Sequence, residues 1–173
     1  MSIVTKATLW VIFFAVAAGT ASGSDRYEAK KLPAAIVAIA ERQLEPDIAR
    51  RLSMFGPVAM RDKVQGSDVW LVAMQKTERE YCSFIQADEI GAARELASYV
   101  GCSIESVRFP KREGAHGPLA VYRARVKNPQ SGAWVVEYLV FVANPLAPGF
   151  CRSDQDPRFP RQWLAPTACA ELM

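Results

Sequence analysis

Two apolar-rich runs, residues 119–127 and 133–143, flank the turn-forming segment Asn128-Pro129-Gln130-Ser131-Gly132. No other feature restricts the fold of this chain as strongly. Side chains alternate faces along a strand, and an Asn/Pro/Gly-rich joint reverses the chain, so the pattern predicts a β-hairpin. Charge matching suggests a register. With Lys127 opposite Ala133, Arg125 faces Val135, and Arg123 faces Glu137 as an opposite-charge pair. Tyr122, Ala124 and Val126 then lie opposite Tyr138, Val136 and Trp134, and this second face reads as the core face. A slip of one residue would bury the three basic residues, which argues for the register.

Other segments supply the remaining elements. Pro33 opens a helical stretch carrying Ile36, Val37, Ile39, Ala40 and Leu44, and a second short helix is expected over residues 47–54. The run VWLVAM, residues 69–74, reads as a buried strand. Residues 87–100 read as a helix, because Ile90, Ala93, Leu96, Ala97 and Val100 recur at helical spacing. Asp88 and Glu89 would sit in its first turn and Gly101 would end it. Residues 104–109 read as a strand and 110–118 as an exposed loop. The expected class is α+β: a small, mostly antiparallel sheet of about four strands with helices packed on one face.

The first 23 residues read as a signal peptide. Lys6 supplies the positive start, residues 7–18 an apolar core, and the small residues from Gly19 to Gly23 the exit. Residues 24–32 form a flexible lead-in. Residues 33–173 form one domain, with an irregular, Pro-rich C-terminal segment from about residue 145. The expected localisation is periplasmic or secreted. No membrane span is expected to remain after cleavage.

Export gives the cysteines a meaning. Cys82, Cys102, Cys151 and Cys169 are an even set in an exported chain, which implies disulfides. Their spacings of 20, 49 and 18 contain no C-x-x-C knuckle, so a zinc site is not supported. Short loops close most readily, which favours Cys82 with Cys102 and Cys151 with Cys169. A helix between Cys82 and Cys102 stands against the first pair, because its rise of about 1.5 Å per residue would hold the sulfurs apart.

The formal charge of +3 is too mild to point to nucleic acid. The basic residues are nonetheless clustered. Arg108, Lys111, Arg112, Arg123, Arg125 and Lys127 lie close in sequence with only Glu113 among them, and form a candidate anion-facing patch. Catalytic signals are weaker. His116 is the only histidine and sits between glycines in a loop. The carboxylates Asp88, Glu89, Glu105, Glu137, Asp154 and Asp156 read as structural or solvated groups, and no metal or cofactor is implied.

The expected function is therefore an exported interaction or binding protein: an inhibitor, an immunity-type factor or an accessory factor of an envelope system. Its partner would be a protein or an anionic envelope component, and no nucleic-acid partner is expected. A small envelope hydrolase using a carboxylate or His116 centre is the alternative from a different class. A structural envelope component is a third reading.

Overall fold

The computed structural model describes residues 26–50, 52–76, 81–111 and 119–153. The expected signal peptide, Arg112, Glu113, His116, Asp154, Asp156 and Cys169 lie outside these residues. Strand β1 (Tyr27–Lys31) leads into helix α1 (Ala34–Gln43) and the single helical turn α2 (Pro46–Ala49). Nine strands follow: β2 (Leu52–Met54), β3 (Val58–Asp62), β4 (Val69–Lys76), β5 (Tyr81–Asp88), β6 (Ala93–Val100), β7 (Cys102–Arg108), β8 (Ala120–Lys127), β9 (Trp134–Ala143) and β10 (Phe150–Ser153).

The expected α+β class is not what forms. The described chain is mostly β, in two antiparallel sheets. One has six strands in the order β1-β3-β4-β5-β6, with β2 also on β4; the other has four in the order β10-β9-β8-β7. The largest correction falls on residues 87–100. Ala87 and Asp88 end β5, a turn follows, and residues 93–100 are a strand paired with β5. The acids expected to begin a helix make the turn instead. The Asp88 carboxylate accepts the Ala92 N–H at 2.8 Å, the Asp88 N–H donates to the Ala92 carbonyl, and Gly91 takes φ +104°. Ala, Arg, Glu and Leu are good helix formers, but pairing with β5 and burial of Leu96 against the second sheet override that preference. The second expected helix shrinks to α2, and its last residues become β2 on the edge of β4.

α1 forms where expected, directly after Pro33, and buries Ile36, Ile39 and Ala40. These side chains cover Trp70, Val72, Met74, Ile85 and Ala87 on one face of the six-stranded sheet. The opposite face carries Leu71, Ala73, Phe84 and Leu96, which pack on Ile104, Tyr122, Leu139, Phe141 and Phe150 of the second sheet. The molecule is thus helix on sheet on sheet. β4 is covered on both faces, which is why its sequence is apolar without alternation.

Polar side chains of the large sheet reach across to the backbone of the small one. Gln75 Oε1 accepts the Ile104 N–H at 2.8 Å, and Gln86 Oε1 accepts the Phe150 N–H at 2.9 Å. Asp62 is fully buried. It receives Arg26 through both carboxylate oxygens, at 2.6 and 2.8 Å, and the Gly149 N–H at 2.7 Å.

The Cys82–Cys102 disulfide is present and joins the two sheets. The helix that stood against it is a returning strand. β6 runs back along β5 to place Tyr99 opposite Cys82, and the chain then changes sheet at Gly101. That return brings the two Cα atoms to 5.5 Å. Cys151 is also disulfide-bonded. No helix among the described residues is long and apolar enough to cross a membrane. The disulfide and this observation are compatible with an extracytoplasmic location.

Candidate interaction face

The β8–β9 hairpin forms as the sequence predicts, but one residue out of the charge-matched register. Lys127 pairs with Trp134, Arg125 with Val136, Arg123 with Tyr138 and Ala124 with Glu137. The turn decides this. Asn128 Oδ1 accepts the N–H groups of Gln130 and Ser131 at 2.8 and 3.0 Å, and Gly132 takes φ +70° while donating to the Asn128 carbonyl. A closing Asn128 N–H to Ala133 carbonyl bond at 2.8 Å then leaves Ala133 inside the loop. Turn geometry sets hairpin register more firmly than one exposed ion pair.

The shift exchanges the faces of β9. Leu139 and Phe141 enter the core, while Trp134, Val136 and Tyr138 stand on the outer face, 46, 45 and 37% exposed. Beside them on β8 are Lys127, Arg125 and Arg123. The result is a basic column next to an aromatic and aliphatic column. Arg108 pairs with Val121 and so belongs to the same face. Lys111 is exposed just beyond β7.

Among the described residues, the carboxylate of Glu105 lies among these cations. The partner of Arg123 is Glu105, not Glu137, and Glu105 also accepts Arg125 Nε at 2.7 Å. The β7–β8 register shifts between Ile104 and Ser106, which places Glu105 where both guanidinium groups reach it. Lys127 is set differently. Its N–H donates to the Gly101 carbonyl at 2.7 Å, and its stem runs close over Gly101 and on toward Gly132. β10 pairs with β9 only from Val140 to Ala143. Among the described residues, the stretch from Trp134 to Leu139 therefore has a strand on one side alone.

Of the carboxylates weighed for catalysis, Asp88, Glu105 and Glu137 lie on three different strands. Asp88 holds its turn, Glu105 holds two arginines, and Glu137 lies on the core-side face opposite Ala124. A further polar cluster links β5 to β6, where Ser83 and Tyr81 both donate to Glu95 Oε1, at 2.5 and 3.2 Å. Burial raises the Tyr81 hydroxyl above its usual range. Among the described residues no group of three or more His, Cys, Asp or Glu could hold a metal ion.

Sequence alone places the aromatic column in the core. Its signal was nevertheless present, because WVVEYLVFVA is apolar at both odd and even positions, as a strand in contact on both faces must be. Compared with known proteins, the chain matches no family model, no curated sequence and no solved structure.

Proposed function

We propose that this is an exported, periplasmic or secreted binding protein that engages an acidic protein partner through the outer face of β8 and β9. One observation carries the reading: Trp134, Val136 and Tyr138 stand exposed in a column beside Arg123, Arg125 and Lys127. Aromatic residues and arginine are the side chains that most often anchor protein interfaces, and exposed apolar strand surface is adhesive. The cations steer an acidic surface into place, and the apolar column supplies contact area once water leaves. Glu105 holds Arg123 and Arg125 extended over the face before a partner arrives, which lowers the ordering cost of binding.

The test is capture from an envelope fraction followed by measurement of affinity for the captured protein. Trp134→Ala/Tyr138→Ala should weaken binding at least tenfold with little effect of salt. Arg123→Glu/Arg125→Glu should weaken it in a salt-dependent way. Capture of the same partners at the same affinity by both variants would show that this face is not the binding surface.

A further inference from the structure

The outer face of the four-stranded sheet is open at one end and closed at the other. At the closed end Val121 pairs across the strands with Val140, and Val142 with Cys151. These four side chains form one cluster, each 0 to 4% exposed, and Ser153 opposite Val140 is buried with them. Neighbours in one sheet shield each other sideways but not from above, so valines buried this deeply need a second layer. The six-stranded sheet packs on the opposite face, and no other described apolar side chain belongs to this cluster.

Cys151 identifies the layer. Its side chain lies in the cluster and it is disulfide-bonded. Cys82 and Cys102 are bonded to each other, so of the chain's four cysteines only Cys169 remains. Cys169 lies within the 20 residues that follow Ser153, and the chain leaves β10 at the border of the patch. The same segment carries Phe159, Trp163 and Leu164, apolar groups of the kind that seal a valine surface.

We infer that the C-terminal segment, residues 154–173, docks on the outer face over Val121, Val140 and Val142, held there by a disulfide between Cys151 and Cys169. Forming the bond removes two electrons and two protons from the two thiols, which pass to a disulfide of the oxidising compartment. The docked segment confines the open part of the face to the half around Trp134, Val136 and Tyr138.

The first test is peptide mapping of the full chain without reductant. It should give Cys151 joined to Cys169 in a monomer. A Cys151 bond to a second copy would overturn the inference. The second test is side-chain radical footprinting. In a chain ending at Ser153, labelling of Val121, Val140 and Val142 should rise at least fivefold, with Leu139 and Phe141 unchanged. Should that chain not fold, Cys169→Ser in the full chain should give a smaller rise at the same three valines. Unchanged labelling in a folded variant would mean that another segment, such as residues 112–118, covers the patch.

Discussion

At the scale of single residues, the contacts that matter most join distant parts of the chain. Gly149 shows this. Its φ of +111° strains any other residue, and a Cβ there would collide with the amide of Gln86, which caps the Phe150 N–H. Gly66 also has a positive φ, +94°, but nothing lies near its missing side chain. Gly66→Ala should therefore cost about 1 kcal/mol, from backbone strain alone. Gly149→Ala should cost about 3 kcal/mol or more, since strain and the collision add. Urea titration of the two variants checks this, and equal costs would remove the assigned role of Gln86. Asp62 belongs to the same class. Nothing near it in sequence announces that a strand-end aspartate will be buried between Arg26 and the Gly149 N–H.

Among the elements, the hairpin and the β1–β3 pair allow separate tests. Asn128 holds two loop N–H groups and so fixes the register that exposes Trp134. Asn128→Ala should cost about 1 to 2 kcal/mol, and Asn128→Asp, which keeps the acceptor, far less. On β1, burial opposes ionisation of Glu28, but Arg61, Lys30 and Lys63 outweigh it and hold its carboxyl below the ordinary value. The folded carboxyl thus titrates below the unfolded one. Its stabilisation is complete above the unfolded value of about 4.3 and is lost as pH falls through the folded value. Glu28→Gln should flatten the fall in Tm between about pH 4.5 and 3, whereas parallel curves would show that Glu28 contributes nothing there. Arg61 links this pair to β4, since it also binds Asp68 at 2.6 Å and lies 5.7 Å over the Trp70 ring.

For the whole molecule, the Cys82–Cys102 bridge ties one sheet to the other across a sequence separation of 20. Closing a loop of that size restricts the unfolded chain by about 3 kcal/mol. Cys82→Ser/Cys102→Ser should lower the unfolding free energy by about that amount with the β-rich circular dichroism retained, and an unchanged urea midpoint would contradict this. Only part of the architecture was legible in the residues. Pro33 and the apolar stripe after it mark α1, continuous apolar character marks β4, and the Asn-Pro-Gln-Ser-Gly joint marks the hairpin, because each depends on interactions within a few positions. Residues 87–100 were not legible, since Ala, Arg, Glu and Leu suit either state and only pairing with β5 selects the strand. The candidate face divides the same way. Its cations were evident as a strand of alternating charge. Which side of β9 meets the core was set by the Gly132 turn and by packing on the second sheet, so Trp134, Val136 and Tyr138 changed sides. The sequence by itself determined where α1 begins, that β4 is buried and where the β8–β9 hairpin turns, because each rests on residues close together in the chain. Only the tertiary structure decided which face of β9 is inside, because a one-residue register choice is a small local energy and a large global one.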